Sequence, residues 1–137
     1  MWNHEAGPAT RFTAIQIKQR YPGHARNVLH VACSCQGGAY AGKWTVVVDE
    51  DIDAGDLDQV LWAMSTRFDP MTDIDLVQKA WASKRDPLYL PGNFNNRILI
   101  DACIPYDKLI KGTFPPVVDV SPKLRADLKA KFPQLFS

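Results

Sequence analysis

Trp44-Thr45-Val46-Val47-Val48-Asp49-Glu50-Asp51-Ile52 is the stretch that decides the fold. From Trp44 to Val48 it is β-branched and continuously apolar, too uniform for a strand with one wet face. It predicts a strand buried on both sides, the kind found inside parallel sheets. Directly behind it, Asp49, Glu50, Asp51, Asp53, Asp56 and Asp58 place six of the fifteen acidic residues within ten positions. Leu57, Val60, Leu61 and Met64 then recur at i, i+3, i+4 and i+7. That spacing predicts a helix over Asp53 to Phe68 with an apolar stripe suited to covering a sheet, stopped by Asp69-Pro70.

Outward from this unit the pattern repeats. Arg11 to Lys18 predicts a strand and Tyr21-Pro22-Gly23 a turn, since proline presets one turn angle and glycine accepts the next. His24 to Cys35 predicts a helix carrying Val28, Leu29, Val31 and Ala32 at helical spacing, ended by Gly37-Gly38. Downstream, Ile74 to Gln78 predicts a short third strand and Arg97 to Cys103 a fourth. Between them Asp86 to Asn96 holds Pro87, Pro91, Gly92 and three Asn, and reads as a loop of a length that is often functional. Beyond Pro105, Lys108 to Pro122 reads as extended chain wrapped over the surface. Ser121-Pro122 opens a last helix, Lys123 to Phe132, with serine as cap and proline at the first helical position. The sequence therefore predicts an α/β fold: a mainly parallel open sheet of about four strands flanked by helices, an extended Pro-rich segment and a C-terminal helix. Residues 1–10 read as an N-terminal extension, 11–105 as the α/β domain and 106–137 as the wrap and final helix.

The 137 residues and 15.4 kDa match one domain, and a chain of this size buries roughly 70% of its unfolded surface. Its 46% hydrophobic and 23% charged residues are ordinary globular values. A net charge of +1 gives no global field favouring nucleic acid or an acidic membrane. Three cysteines, Cys33, Cys35 and Cys103, are too few for a disulfide scaffold. The opening Met-Trp-Asn-His-Glu has no basic segment leading into an apolar run, and no stretch reaches the ~18 apolar residues of a membrane helix. A cytoplasmic chain is the expectation.

Three features invite chemical readings. Asp49 and Asp51 suit a Walker B strand end or an Asp-x-Asp metal site. The first lacks its phosphate-cradling G-x-x-x-x-G-K-[ST] loop, and domains carrying the second are normally longer. Helix capping and dipole compensation are the favoured alternative. His30, Cys33 and Cys35 form H-x-x-C-x-C, a soft-ligand spacing that only Cys103 or His24 would complete to a zinc site; buried thiols ending a helix are the plainer reading. Gly37-Gly38-Ala39-Tyr40-Ala41-Gly42-Lys43 is a glycine-rich loop ending in lysine. It lies after a helix and before a strand, the reverse of the dinucleotide order. Lys43 is left either as a solvated strand-start lysine or as a point-charge contact to a phosphate presented by another domain.

Several segments in order resemble the C-terminal domain of the UbiD family, the prenylated-FMN-dependent aromatic and acrylic acid decarboxylases. They are Gln19-Arg20-Tyr21-Pro22-Gly23-His24-Ala25, Tyr40 through Ile52, Asp58 through Arg67, Asp69-Pro70, Asp73 and Ile100-Asp101-Ala102. The resemblance covers about residues 11 to 137. It implies that the acidic cluster is architecture, and that prenylated FMN, Mn²⁺ and the catalytic arginine and glutamates belong to preceding domains. No catalytic residue and no metal ligand is assigned to this chain. Lys43 matches a lysine that approaches the cofactor phosphate, and Leu88, Tyr89, Leu90 and Pro91 fall where the family presents apolar residues to the substrate pocket.

The resemblance further implies a C-terminal domain or small subunit of a nonoxidative decarboxylase of aromatic or α,β-unsaturated acids. Its partners would be a cofactor-binding domain or large subunit and a second copy as a dimer, with neither nucleic acid nor membrane. This chain would close the active site and be inactive alone. The alternatives are a non-catalytic assembly and dimerisation module, and an independent Mg²⁺- or nucleotide-binding α/β domain using Asp49 and Asp51.

Overall fold

The chain is described by a computed structural model over residues 2–3, 11–40, 42–88, 91–118 and 121–135. Among these residues five strands form one sheet: β1 (Trp2–Asn3), β2 (Phe12–Ile17), β3 (Trp44–Asp49), β4 (Ile74–Trp81) and β5 (Phe94–Ala102), in the order β1-β2-β3-β5-β4. β3 is central and parallel to both neighbours, with Val46 opposite Ala14 on one side and Ile100 on the other. β1 and β4 close the two edges as antiparallel strands. The α/β class is as expected, with parallel pairing confined to the centre of the sheet.

The uniform apolarity of the decisive stretch follows from this position. Val46 and Val48 face one layer and Val47 the other, because successive strand side chains alternate; all three are fully buried. On one face Ile15, Val47 and Leu99 pack against Ala25, Leu29 and Cys33 of helix α1 (His24–Ser34). On the other, Ala14, Val46, Val48, Ile100 and Ala102 pack with Ile52, Ala54 and the Val60 and Ala63 side of a second long helix, Leu57–Thr66. A fully buried Val or Leu contributes about 1.5–3 kcal/mol, so these two layers supply most of the apolar stabilisation.

Several expected details are corrected. A short helix, α2 (Gln36–Ala39), continues through Gly37-Gly38 instead of stopping there. Helix α3 begins at Leu57, not Asp53, because Asp56 is its cap and accepts from the Asp58 and Gln59 amides at 3.0 and 3.3 Å. Its buried line runs through Val60, Ala63 and the C-cap Arg67, and Leu61 faces out; on α1, Val31 likewise faces solvent. β4 runs on to Trp81 and β5 starts at Phe94, so the loop between them is residues 82–93. Helix α4 (Tyr106–Lys111) forms where extended chain was expected, ended by Gly112 at φ 62°. The last helix, α5 (Pro122–Lys131), starts as expected, with Ser121 Oγ accepting from the Leu124 amide at 3.2 Å.

The acidic cluster mostly fastens α3 to the end of β3. Asp49 Oδ2 accepts from Arg67 at 3.1 Å and from the Ile104 amide at 2.6 Å, and its Oδ1 accepts from Gln19 at 2.7 Å. Arg67 also donates twice to Asp51, at 2.8 and 2.6 Å. The guanidinium is only 1% exposed, so it leaves water only because two carboxylates receive it. The Arg67 hydrogen bonds and charge hold the Asp51 carboxyl below its ordinary value of 3.8, against the opposing effect of burial.

Removing one partner of such a buried pair costs about 3–5 kcal/mol. Arg67→Met is therefore expected to lower the unfolding free energy of the chain by that amount, measured by urea titration at neutral pH. The sign with pH follows from the lowered carboxylate. Its contribution is complete above the unfolded value of 3.8 and is lost as pH falls through the lower folded value. The acid limb of wild-type stability below about pH 4 should therefore be steeper than that of Arg67→Met; parallel limbs would refute the linkage.

Candidate functional site

The two ends of the parallel strands differ in what they offer. At their C-terminal end lies a cleft of about 400 Å³, lined in part by Ile17, Gln19, Asp49, Tyr106, Leu109 and Ile110. Its carboxylate at Asp49 is already engaged, as described above. At the N-terminal end stand Lys43, the loop 82–93 and a group of exposed aromatics, and this rim holds the one predicted site residue whose geometry is described in detail.

A buried arginine builds the rim. Arg97, 4% exposed, sits in β5 with no carboxylate partner among the described residues and feeds its N–H groups into carbonyls instead. It donates to Cys33 O at 2.8 Å, Gly38 O at 3.0 Å, Trp81 O at 2.5 Å and Ala39 O, while its Nε donates to Asn95 Oδ1 at 3.2 Å. The ends of α1, α2 and β4 are thereby drawn onto one side chain. Such close packing explains the glycines. A Cβ on Gly38 would lie 1.8 Å from Ala32 O, and one on Gly42 would lie 2.8 Å from Gly38 O.

Lys43 follows Gly42 directly. Its backbone is fixed between β2 and β5: its amide donates to Arg11 O at 3.3 Å and its carbonyl accepts from Ile98 at 2.9 Å. The side chain reaches the loop, where Nζ lies 3.1 Å from each carboxylate oxygen of Asp86. Asp86 is almost wholly buried, with 4% side-chain exposure against 27% for Lys43. The same carboxylate accepts the Leu88 amide at 3.0 Å and Asn95 Nδ2 at 3.4 Å, and Asn95 also donates to Gly42 O at 3.2 Å. Burial alone would raise the Asp86 pKa. The Leu88, Lys43 and Asn95 hydrogen bonds and the lysine charge outweigh it and hold the group ionised below its ordinary value.

An ammonium has three donors. Both oxygens of Asp86 are the acceptors Nζ meets, and it has no other acceptor among the described residues. Elsewhere on this rim the Tyr40 and Trp81 rings lie with centroids 4.7 Å apart, and Trp44, Leu88 and Phe94 are exposed. The arrangement presents a partly exposed ammonium backed by a buried carboxylate. It suits a single contact to an anionic group and provides no acid–base pair.

Of the other predicted site residues, Leu88 and Pro91 are exposed, while Tyr89 and Leu90 lie outside the described residues. His30 does not join the cysteines; its Nε2 meets Asp75 at 3.0 Å. Cys33 and Cys103 are buried and Cys35 is exposed, all three as free thiols. Burial, with Asp49 and Asp101 nearby, pushes the Cys103 pKa up, which makes it inert as a nucleophile. No group of three or more His, Cys, Asp or Glu that would hold a metal occurs among the described residues. Asp86, Asn95 and Arg97 had no role in the sequence reading. The available signal was Asn95-Asn96-Arg97 running straight into an apolar strand, where such residues stay only if something buried needs them.

The fold and this rim define a doubly covered α/β domain built to present a surface. Residues 1–102 match the family model for the 3-octaprenyl-4-hydroxybenzoate carboxy-lyase C-terminal domain, and the chain belongs to that family. It is 32% identical over 105 residues to a phenolic acid decarboxylase of Sedimentibacter hydroxybenzoicus, covering 77% of this chain and 21% of the relative. The open form of the vanillic acid decarboxylase of the same organism superposes with a TM-score of 0.75 at 27% identity, over 93% of this chain and 27% of that one. The UbiD-class enzyme HmfF of Pelotomaculum thermopropionicum in complex with FMN gives 0.70 at 27% identity, over 83% of this chain and 25% of that one. The chain thus spans about a quarter or less of the length of these relatives.

Arg97→Met is expected to leave the carbonyls of Cys33, Gly38, Ala39 and Trp81 without their shared donor. An unsatisfied buried group costs about 1–3 kcal/mol, so a loss of about 3 kcal/mol or more is expected by chemical denaturation. Amide exchange should accelerate over residues 36–43 before it does in β3. Uniform acceleration across the sheet would contradict a local role.

Proposed function

We propose that this chain is the C-terminal part, or a separately encoded small subunit, of a nonoxidative decarboxylase acting on aromatic or α,β-unsaturated carboxylic acids. The family match over residues 1–102 carries this reading, supported by the likeness to the vanillic acid decarboxylase. In the complete enzyme a partner domain or large subunit binds prenylated FMN and Mn²⁺. When bound, the prenylated flavin supplies the electron sink that lets a carboxylate leave as CO₂. The residues of this chain bind and enclose. The outward side of the Lys43 ammonium meets the cofactor phosphate, a point contact that its 27% exposure fits, and the 88–91 loop lines the substrate pocket. Closure of the domain over the site excludes water.

Dimerisation through this domain is part of the same reading. Leu76, Trp44 and Phe94 leave apolar area uncovered on the sheet. A cytoplasmic location is also proposed; it agrees with three free thiols and with the absence, among the described residues, of a helix long and apolar enough to cross a membrane.

Reconstitution tests the assignment. The chain combined with a cofactor-domain partner and prenylated FMN should release CO₂ from a phenolic acid, and omitting the chain should abolish or greatly reduce the rate. Turnover independent of the chain would reduce it to an assembly module. Light scattering of the assembled enzyme should show at least two copies of the chain per particle, and a single copy would remove the dimerisation role. Lys43→Met should weaken FMN retention by about 1.5–3 kcal/mol, the value of a charge-assisted hydrogen bond, read by flavin fluorescence. Unchanged retention would refute the phosphate contact.

A further inference from the structure

We propose that Asp86 is a positioning residue: by holding Lys43 with both oxygens it fixes the ammonium where its outward side meets the cofactor phosphate, and through the Leu88 amide it ties that placement to the loop facing the substrate. This rests on the proposed phosphate contact of Lys43. A lysine at a strand start ordinarily sweeps a wide cone, because its four-carbon stem is flexible and its ammonium is a compact point charge. Here Nζ stands 3.1 Å from Oδ1 and 3.1 Å from Oδ2 of one carboxylate. The ammonium is thereby held against one buried carboxylate instead of sweeping that cone.

The carboxylate that fixes it is itself held. Asn95 bridges it to Gly42 O, at 3.4 and 3.2 Å, so the backbone just before Lys43 and the partner of its side chain are set by one amide. Asn95 is in turn oriented by Arg97. On the other side Oδ1 accepts the Leu88 amide at 3.0 Å, two residues along the loop. A displacement of Asp86 therefore moves both the donor and the first apolar residue of the loop. The near-complete burial of Asp86 beside a more exposed lysine fits this division of labour: the buried group orients and the exposed group makes the contact. Supporting partners of this kind typically alter ligand affinity by about 10–100-fold when removed, as seen around metal ligands.

The test uses the chain assembled with its cofactor-domain partner and two probes, FMN and riboflavin, which differ by the phosphate. Fluorescence titration should give a preference for FMN that falls about tenfold in both Lys43→Met and Asp86→Asn, with riboflavin affinity unchanged. If Lys43→Met loses the preference and Asp86→Asn keeps it, the positioning role is overturned and the phosphate contact stands. If Asp86→Asn weakens both flavins equally, its role is purely structural and the inference also falls. If neither variant alters the preference, the phosphate contact itself has failed. A wild-type measurement keeps the inference testable should Asp86→Asn not fold. The Lys43 ammonium protons, followed by ¹⁵N NMR, should remain protected by Asp86 after FMN is added. Release of the ammonium from Asp86 on FMN binding would make the carboxylate a competitor and overturn positioning.

Discussion

The rim of this domain depends on one buried cation that no carboxylate among the described residues meets. Arg97 is stable inside the protein because the carbonyls of Cys33, Gly38, Ala39 and Trp81 converge on it. Those carbonyls come from a helix end, a short helix and an edge strand, where backbone acceptors are otherwise left over. Guanidinium and carbonyls each solve the other's burial problem. The segment leading to Lys43 has its shape because of that exchange. The glycines at 38 and 42 follow from it, since a side chain at either position would collide with backbone oxygen.

At the opposite end of the sheet a second buried arginine does comparable work by another route. Arg67 is neutralised by Asp49 and Asp51, so its region is held by ion pairs between the end of β3 and the end of α3. The carboxylates that suggested a metal or nucleotide site are those that receive Arg67, and two of their neighbours cap turns: Asp53 accepts from the Gly55 amide and Asp56 from the first turn of α3. A cation at Asp49 and Asp51 would have to displace a guanidinium that is 1% exposed. That argues for architecture at this end.

What the sequence disclosed and what it concealed divide along the range of the interactions. β3 was legible because burial on both faces leaves a local signature, and α3 because its period is local. The loop boundaries were not. Lys79 and Asn93 adopt positive φ values of 55° and 65°, and pairing of β4 with β5 shifts register between Val77 and Ala80, so strand continues through residues of poor β propensity. Lys79 is accommodated because its amide donates to Asn96 Oδ1 at 3.1 Å. α4 was hidden by the proline-rich texture beyond it, although Pro105 at its cap and Gly112 at its end are ordinary helix punctuation. Lys43 stood out as a basic residue after glycines. Its partner Asp86 is 43 positions away, and no local pattern announces a contact that only the sheet brings together.

Under the proposed reading, the chemistry of the Lys43–Asp86 pair also bears on how this domain would meet a cofactor-bearing partner. A phosphate dianion needs several donors, and a lysine already paired with a carboxylate contributes little net charge. Under the proposed reading it contributes placement, because the carboxylate keeps the ammonium at one spot. Affinity for a flavin phosphate would then come mainly from another surface, with this domain adding a contact that forms fully only when the two surfaces meet. A lysine without Asp86 would attract phosphate more strongly at long range but with no preferred approach. Paired as it is, the lysine would make that contact depend on domain placement, and the Leu88 amide ties the loop to the same carboxylate. Under the proposed reading, the phosphate contact and the shaping of the substrate pocket are thus coupled through one buried side chain.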